Sequence, residues 1–511
     1  MFRVTSRSRG WVFAGRLAAF LAVAGGGLGC SASSSPEAAA YASWSWCRLE
    51  GVGRAVRCAR VPLAADGGGD VVAPVSVDDD HDGSRGPRHV FVAVVPAEAD
   101  ERAEDPIVLL AGGPGQAATT SFGPMLPAMT RWNRNRDLIL VDIRGTERGS
   151  AHYCSPEPDD DAAEIDQLFA EDGITAGARA CLETLDAPAL AARSEFTTTH
   201  YVRDLDAVRR ALGVTRWNLV GVSYGTRLAM QYAKAHPSHT RTLVLDAVAP
   251  ASLRLPLPFA EDMERSWDAV AERCRDEAPC RDNNGDPRAH LTTLLEGLPR
   301  PFVVHHPRTG RRREVVLKRG VLAQLLRGPL YATELQALLP HAVRRAGEGD
   351  LAPLLGPAAL MDGADLALGV LLSVVCAEDV PRIRDEEVEP ATAGTVLGAG
   401  VVHDFRRACA AWGVPPASLD SGPLPEKLPV MTISGTVDPV TPVRWADVAT
   451  EGVRQHHRVV VPHAGHGNLI RGCMPGLVET FLATPDAPLD ATCVADETAP
   501  AFFLDPAGGA P

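Results

Sequence analysis

Three residues of the types that cooperate in nucleophilic catalysis lie far apart in the sequence, each after a segment with strand character. Ser223 is the centre of the pentapeptide GVSYG (221–225). Asp438 lies in SGTVDPVTP and His466 in HAGHGN, so the order along the chain is serine, aspartate, histidine. A carboxylate that orients an imidazole ring lets the ring take the proton of a hydroxyl, which then attacks a carbonyl carbon. The sequence therefore predicts Ser223 as nucleophile, His466 as general base and Asp438 as the residue that orients the histidine.

Each of these assignments has a structural alternative. The GVSYG segment would otherwise be a glycine-rich turn with an exposed serine, but its place between a predicted strand and a predicted helix favours a nucleophile in a strained turn. Asp142 and Asp246 also follow predicted strands, and we interpret them as hydrogen-bonded loop anchors. Three other histidines are interpreted as structural, one before a loop tip and two at a helix end on the surface: His463, His456 and His457.

The oxyanion that forms on an attacked carbonyl group needs backbone N–H donors beside the nucleophile. AGGPG (111–115) follows the predicted strand IVLL, and its glycines allow the backbone to approach a substrate oxygen closely. We predict that the amides of Gly113 and of Tyr224, the residue after the nucleophile, form this site. The alternative is a turn that only reverses the chain.

The elements that must position these residues alternate between strands and helices. Apolar runs bounded by turn residues predict buried strands in HVFVAVVP, PIVLLAGGPG, DLILVDIRG, WNLVGVSYG, TLVLDAVAP, LPVMTISG and HRVVVP. Apolar residues recur at helical spacing from Tyr201 to Leu212. Strands without polar alternation suit a sheet covered on both faces, and their alternation with helices predicts a mostly parallel sheet in an α/β fold.

This alternation lapses between about Ala251 and Thr395, where the pattern is helical and broken by prolines, with one β-like piece, PFVVHHPRTGRRREVVLKRG. An insertion of this kind predicts a mainly helical cap over the active site. The predicted domains are therefore a signal peptide at 1–30, a tether and N-terminal segment at 31–88, core segments at 89–250 and 396–485 around a cap at 251–395, and a C-terminal tail at 486–511.

The first thirty residues have the pattern of an export signal. Four arginines precede an apolar, glycine-rich run at 17–28, which is followed by Gly29 and Cys30. A cysteine after small residues is similar to the lipidation site of bacterial lipoproteins, whereas ordinary cleavage nearby is the alternative. We expect a secreted or cell-envelope protein, anchored to a membrane if Cys30 carries lipid.

Cysteine usage agrees with an oxidising compartment. The chain has 11 cysteines, and 11 − 1 = 10 remain when Cys30 is set aside. The simplest pairing joins neighbours in sequence: Cys47 with Cys58, Cys154 with Cys181, Cys274 with Cys280, Cys376 with Cys409, and Cys473 with Cys493. No pair of cysteines or histidines has the spacing of a zinc site, so we predict no metal.

Charge and composition exclude another class of function. The formal net charge is −14, which argues against a nucleic-acid partner because binding phosphates requires a clustered cationic face. The acidic run at 78–83, DDDHDG, begins like a calcium loop, but its twelfth position is His89 instead of glutamate. We interpret this run as a solvated turn and predict no cofactor.

Several blocks together resemble the proline iminopeptidase and tripeptidyl aminopeptidase (TAP-like) branch of the α/β-hydrolases. They are LLAGGPG, VDIRGTERGS, WNLVGVSYGTRLAMQYAKAHP, SVVCAEDVP, ISGTVDPVTP and PHAGHGNLIRGC. The resemblance implies the α/β-hydrolase fold with an inserted cap. It also implies that Ser223, Asp438 and His466 match the family's triad and that Gly113 matches its oxyanion glycine.

By this resemblance the substrate is a peptide with a free N-terminus, whose α-ammonium group is held by a cap carboxylate. Glu378 is the candidate for that carboxylate, and a buried structural ion pair is the alternative. Ala111 stands where proline iminopeptidases usually have histidine, so strict specificity for proline is not implied. Two classes of function stay open, an aminopeptidase and a carboxylesterase or lipase that uses the same triad. A binding protein with a vestigial site is disfavoured because the whole triad is present.

Overall fold

The computed structural model describes residues 40–63, 89–154, 160–362, 366–505 and 508–509. The strands of this part of the chain are β1 (Ser45–Cys47), β2 (Val56–Pro62), β3 (His89–Val95), β4 (Ile107–Leu110), β5 (Leu138–Asp142), β6 (Trp217–Val222), β7 (Thr240–Asp246), β8 (Arg300–His305), β9 (Arg312–Leu317), β10 (Val430–Gly435), β11 (His456–Val461), β12 (Phe503–Asp505) and β13 (Gly508–Gly509). Nine of these strands form one sheet, in the order β1-β2-β3-β5-β4-β6-β7-β10-β11.

Most of this sheet is parallel. β5, β4, β6, β7, β10 and β11 pair with their neighbours in parallel, whereas β1, β2 and β3 extend the sheet from β5 by antiparallel pairing. Because parallel strands end at the same edge of a sheet, the loops that follow β4, β6, β7, β10 and β11 lie side by side. These loops carry the residues that the sequence singled out.

Helices connect the strands and cover the sheet. In the described residues they are α1 (Ala118–Phe122), α2 (Thr130–Asn133), α3 (Asp161–Leu168), α4 (Gly173–Thr184), α5 (Ala187–Ala192), α6 (Thr198–Ala211), α7 (Tyr224–Ala235), α8 (Phe259–Asp276), α9 (Ala278–Asn284), α10 (Pro287–Glu296), α11 (Arg319–Tyr331), α12 (Thr333–Gln336), α13 (Leu339–Gly347), α14 (Ala352–Asp362), α15 (Leu368–Glu378), α16 (Asp385–Thr392), α17 (Gly400–Trp412), α18 (Val443–Ala449) and α19 (Met474–Ala483). None of them is both long enough and apolar enough to cross a membrane.

The central strands are buried along their whole length, as the apolar runs predicted. Every residue of β4, β5 and β10 is buried. Each of the seven predicted strand segments overlaps one observed strand, and the mostly parallel sheet flanked by helices is confirmed. β1 and β2 were not among the predicted strands, and their antiparallel pairing widens the sheet at one edge.

The segment predicted as a cap is helical apart from the hairpin of β8 and β9. It builds a large apolar core around Trp267, Leu322 and Leu330, which are fully buried. The C-terminal residues add to this core, because Phe502 is buried in it and the backbone of Phe503 bonds to α9 and to the turn after α12. The predicted tail is therefore packed at Phe502 and Phe503, whereas the predicted domain boundaries themselves stay predictions.

All five predicted disulfides are present in the structure: Cys47–Cys58, Cys154–Cys181, Cys274–Cys280, Cys376–Cys409 and Cys473–Cys493. Cys376 belongs to α15 and Cys409 to α17, so this disulfide crosses from the segment predicted as cap to the second core segment. Two other predictions, the signal peptide with Cys30 and the acidic run at 78–83, lie outside the described residues.

The disulfides should stabilise the fold according to the length of chain that each closes. Replacing both Cys376 and Cys409 by serine opens a loop of 33 residues, which should cost about 4 kcal/mol through the entropy of the unfolded chain. The matched change at Cys274 and Cys280 opens only 6 residues and should cost about 2 kcal/mol. Denaturant unfolding followed by tryptophan fluorescence measures both. An equal loss in the two variants would contradict this ranking.

Candidate active site

Ser223 occupies a sharp turn between β6 and α7. Its backbone angles are φ 56° and ψ −124°, a left-handed conformation that is unfavourable for a residue with a side chain. Glycines on both sides permit the turn, because a Cβ on Gly221 would lie 2.5 Å from the carbonyl oxygen of Gly225. A Cβ on Gly225 would overlap the carbonyl oxygen of Leu110, at the end of β4. The turn therefore requires the glycines of GxSxG and holds the serine at the edge of the sheet.

Asp438 and His466 form a hydrogen-bonded pair in the loops after β10 and β11. The ring Nδ1 of His466 lies 2.9 Å from Oδ2 of Asp438. Thr441 donates its hydroxyl to the same carboxylate oxygen at 2.8 Å, and its Oγ1 lies 3.1 Å from Nδ1 of His466. The amides of Val440 and Thr441 donate to the other oxygen, Oδ1. All these hydrogen bonds fix the position of the carboxylate. Because Nδ1 of His466 is engaged by Asp438, Nε2 is the ring nitrogen that is free to accept a proton.

The two groups shift each other's pKa in the directions that such a pair needs. Burial raises the pKa of Asp438, but the charge on His466 and the hydrogen bonds from its ring and from the loop amides lower it by more, so its pKa lies below the ordinary value. Burial lowers the pKa of His466, but Asp438 raises it by more, and Asp246 adds a smaller contribution in the same direction. The pair therefore stabilises a protonated imidazole beside an ionised carboxylate.

Asp246, at the end of β7, brings the serine turn and the histidine loop together. Its carbonyl oxygen accepts the N–H of Ser223 at 2.9 Å. Its Oδ2 accepts the amides of residues 468 and 469, two and three positions after the histidine, at 2.6 and 2.7 Å. Within the described residues no hydrogen bond joins the hydroxyl of Ser223 to the ring of His466. The structure thus places the serine beside the histidine loop without linking the two side chains.

Asp246 is itself a fully buried carboxyl group with unusual properties. Burial raises its pKa to about 7, and the two amide hydrogen bonds and His466 oppose that shift only in part. Its second oxygen, Oδ1, has no hydrogen-bond partner among the described residues. The loop-anchor interpretation of Asp246 fits these contacts, and the same holds for Asp142, whose carboxylate accepts the amide and hydroxyl of Thr119.

The predicted oxyanion donors lie on either side of the nucleophile. Gly113 has φ 104°, a conformation that favours glycine, and its neighbour Gly112 is so close to Ser223 that an added Cβ would lie 3.0 Å from the serine Cβ. Tyr224 begins α7, where an amide has no partner inside the helix. The side chain of Tyr224 is buried and its hydroxyl lies 2.7 Å from Oγ1 of Thr198. The positions of both amides suit donors to an oxyanion, and this role of Gly113 and Tyr224 stays a prediction.

Glu378 lies in a buried polar network beneath the site, which agrees with the alternative interpretation of this residue as part of a structural ion pair. Its carboxylate accepts the amide and the hydroxyl of Thr198 at 2.5 and 2.7 Å, and it lies 3.7 Å from the guanidinium of Arg227. Arg227 also bonds both oxygens of Asp379. Burial is the main reason why the pKa of Glu378 rises to about 7. With 1% of its surface exposed, Glu378 is already engaged by protein groups.

The helical segment contacts the histidine loop through α11 and α12, which sequence reasoning did not anticipate. The amide of His466 donates to the carbonyl oxygen of Tyr331 at 2.8 Å, and the two rings meet edge to face, with centroids 5.1 Å apart. The hydroxyl of Thr333 accepts the amide of Gly465 at 2.9 Å. No signal in the sequence could have found Tyr331, because it lies more than a hundred residues from the loop that it supports. Thr441 had a signal, since it lies three residues after Asp438.

Of the three other histidines interpreted as structural, two lie elsewhere than predicted. His456 and His457 begin β11 and are half-buried, so their assignment to a helix end was wrong. His456 shares a hydrogen bond with Thr432 across the sheet at 2.8 Å, and His457 bonds to the carbonyl oxygen of Pro485. The cause is the length of β11, which extends the apolar run VVV backwards through these residues. No group of three or more His, Cys, Asp or Glu in the described residues is placed to hold a metal ion.

Two family models match successive parts of the chain. The family described as alpha/beta hydrolase fold matches residues 105–327, which include Ser223 and the glycines after β4. The family described as TAP-like protein matches residues 395–493, which include Asp438 and His466. These matches confirm the resemblance that the sequence blocks indicated.

The chain is also similar to several proteins over shorter or longer stretches. Serine protease Hip1 of Mycobacterium tuberculosis (strain ATCC 25618 / H37Rv) is 25% identical over 414 residues, 74% of this chain and 78% of the relative. The probable proline iminopeptidase of Streptomyces coelicolor is 28% identical over 199 residues, 39% of this chain and 49% of the relative. The tripeptidyl aminopeptidase of Streptomyces lividans is 47% identical over 53 residues, 10% of each chain. All three are named as proteases or peptidases.

The close packing of the turn at Ser223 predicts that even an added methyl group at Gly225 strongly lowers the free energy of unfolding. Gly225→Ala should destabilise the protein by about 3 kcal/mol or more, because the new methyl group would overlap the backbone of β4. The matched control is Gly476→Ala in α19, where nothing lies within 4 Å of an added Cβ, and it should be neutral or stabilising by up to about 1 kcal/mol. Unfolding midpoints measure both changes. Equal stability of the two variants would contradict the close approach of Gly225 to β4.

The ionisation of Asp246 predicts a shift in the pH dependence of activity. His466 must be unprotonated to accept a proton, so activity should fall as the pH drops through its pKa, which lies above the ordinary value. Asp246→Asn keeps an acceptor for the loop amides but removes a charge that raises this pKa. The acid limb of kcat/KM should therefore move to lower pH.

The control for this change is Asp142→Asn, another buried strand-end carboxyl group, whose bonds go to Thr119 instead of to the histidine loop. Its acid limb should stay where it is in the unchanged protein. The pH profile of kcat/KM, measured for the unchanged protein and for both variants, tests whether the acid limb moves. An unmoved limb in Asp246→Asn, with the fold intact, would show that Asp246 exerts no electrostatic influence on His466.

Proposed function

We propose that this chain, which belongs to the α/β-hydrolases and is a serine hydrolase, is an exported aminopeptidase that releases N-terminal residues or short peptides through an acyl-enzyme. The observation that carries the chemistry is the Asp438–His466 pair beside a serine held in a strained turn. Strain at a non-glycine residue persists only where surrounding structure enforces it, and such sites are concentrated where chemistry occurs.

The proposed reaction proceeds in two halves. Nε2 of His466 takes the proton of Ser223 as Oγ attacks the substrate carbonyl carbon, and the amides of Gly113 and Tyr224 bind the resulting oxyanion. The tetrahedral intermediate collapses when His466 passes that proton to the leaving amine, which leaves an acyl group on Ser223. Water, activated by the same imidazole, then releases the acyl group. Throughout, Asp438 holds the ring tautomer and stabilises the imidazolium.

The choice of peptides as substrates is supported by the relatives, since each of the three is named as a protease or peptidase and the second half of the site lies in the TAP-like match. One observation favours the alternative, an esterase with the same triad. The carboxylate of Glu378, the candidate for holding a substrate ammonium group, already accepts two hydrogen bonds from Thr198 and lies 3.7 Å from the guanidinium of Arg227. An esterase would need no such carboxylate.

Export is supported by the disulfides. Five of them lie in the described residues, and disulfides persist in oxidising compartments, whereas the cytosol keeps thiols reduced. The proposed location is the cell envelope or the medium, with a lipid anchor if Cys30 is modified. Mass spectrometry of the protein purified from its native host tests both the export and the lipid anchor, because cleavage removes the leader and lipidation adds a defined mass at Cys30.

A substrate panel tests the proposed activity. Purified protein should cleave aminoacyl or tripeptidyl p-nitroanilides with free N-termini and should cleave their N-acetylated counterparts far more slowly. Short and long acyl esters of p-nitrophenol complete the panel. Ser223→Ala should lose at least about 10⁴-fold in kcat on every substrate that is cleaved.

The matched control is Ser238→Ala, a serine exposed in the turn after α7, which should behave like the unchanged protein. Equal cleavage of free and N-acetylated peptides would rule out an aminopeptidase. Cleavage of esters alone would favour the esterase. Activity that survives in Ser223→Ala would remove the serine from the mechanism.

A further inference from the structure

The positive charge of Arg327 lies near the histidine end of the site and has no carboxylate partner in the part of the chain that the structure describes. Arg327 belongs to α11, and among the described residues no carboxylate oxygen lies within 4.0 Å of its guanidinium nitrogens. Its Nη2 donates to the hydroxyl of Tyr331, one turn further along the helix, at 2.6 Å. Its Nε is buried and has no hydrogen-bond partner there. The guanidinium therefore has more donors than the protein satisfies.

Aromatic rings hold this guanidinium in place. Its carbon Cζ lies 4.1 Å from the ring centroid of Phe259, at the start of α8, and 5.2 Å from that of Tyr331. Such contacts stabilise a cation by about 0.5–2 kcal/mol each, but they leave its hydrogen-bond donors unused. A planar fork of N–H groups with unused donors is suited to a carboxylate, which it can bind through two parallel hydrogen bonds.

Arg327 is close enough to the proposed base to act on it. The ring of Tyr331, to which Arg327 is bonded, lies against the ring of His466. The positive charge of Arg327 is also among the influences that lower the pKa of His466, although Asp438 outweighs it. An unpaired cation here opposes protonation of the base, so it has an electrostatic cost to the proposed reaction. A bound anion would remove that cost.

The position beside His466 indicates which part of a substrate would meet Arg327. In acyl transfer the base that takes the serine proton delivers it to the leaving group, so the leaving group must pass beside the imidazole. Tyr331, whose ring packs against the imidazole, and Arg327, which is bonded to Tyr331, therefore lie on the leaving-group side. The acyl group stays on Ser223, nearer the oxyanion donors.

From these contacts the geometry points to Arg327 as a specificity-determining residue that binds a carboxylate on the leaving group. This assignment rests on the proposed hydrolysis at Ser223 and adds a preference for anionic leaving groups. In a peptide the carboxylate has two sources, the C-terminus of a short substrate and an acidic side chain just after the cleaved bond. Both present the same planar pair of oxygens to the guanidinium.

The test compares leaving groups that differ only in charge. Acetate esters of 4-hydroxybenzoate and 4-hydroxybenzamide give a pair that requires no peptide specificity. Two peptide pairs separate the sources: a free C-terminus against its amide, and aspartate against asparagine in a peptide with an amidated C-terminus. The unchanged protein should prefer the carboxylate member of the ester pair and of at least one peptide pair by about 10- to 100-fold in kcat/KM, mainly through KM.

Arg327→Gln should reduce each preference to about one, after correction for the uncatalysed rates of the two esters. Arg327→Lys should keep part of it, because it retains the charge without the planar fork. The matched control is Arg312→Gln on the exposed strand β9, where the arginine pairs with Glu314, and it should keep the full preference. Each ratio is measured within one protein sample, so a loss of folded protein does not alter it.

A measurement on the unchanged protein covers the case in which Arg327→Gln does not fold. The product 4-hydroxybenzoate should inhibit ester hydrolysis at a concentration at least about 10-fold lower than 4-hydroxybenzamide. No preference in the unchanged protein, or the same preference in Arg327→Gln, would overturn the assignment. Hydrolysis of the esters with the expected ratios but of no peptide would instead overturn the aminopeptidase and leave Arg327 as the anion site of an esterase.

Discussion

The active site depends on one close approach between backbones, that of α7 to the end of β4. Gly225 lies against the carbonyl group of Leu110 so closely that no side chain fits between them. This contact holds Ser223 in a left-handed conformation and brings the N-terminus of α7 beside the glycines after β4. The nucleophile and the two predicted oxyanion donors therefore share one constraint, and no one of them can move without the others.

The histidine is positioned by a second set of contacts that reach it from three directions. Asp438 orients its ring, Asp246 holds the backbone just after it, and α11 accepts its amide through Tyr331. Two of these supports come from neighbouring strands of the sheet, and the third comes from the helical segment between β7 and β10. Any movement of α11 relative to the sheet would therefore act directly on the proposed base.

Three charged groups around the site differ in how many of their polar atoms have hydrogen-bond partners in the protein. Among the described residues, Glu378 has partners for both oxygens, Asp246 has partners for one oxygen, and Arg327 has more N–H donors than acceptors. A buried charge without partners is costly unless it is neutralised or meets a ligand. Burial raises the pKa of Asp246 to about 7, so this group can lose its charge by taking up a proton, whereas a guanidinium stays protonated. Arg327 is for this reason the group of the three with capacity to bind a substrate.

The sequence by itself predicted the parts that depend on local pattern. Seven strands, six of them parallel, were predicted because strands covered on both faces are continuous apolar runs. The cysteine pairs were predicted because partners close in sequence meet with little loss of entropy. Ser223, Asp438 and His466 were chosen from their places after strands, and the structure brings their loops to one edge. His456 and His457 were misplaced, because polar residues at the start of a strand look like a helix end.

Only the tertiary structure decided which side chains already have partners. Glu378 follows Cys376 in a segment that fits a substrate site as well as an ion pair, and its environment comes from Thr198 and Arg227, far away in the chain. Arg327 is one of many arginines in the sequence, and it differs from most only because no carboxylate of the described residues comes near it in space. Strand and turn patterns follow from neighbours along the chain, whereas the satisfaction of a charge depends on contacts that form only when distant segments pack together.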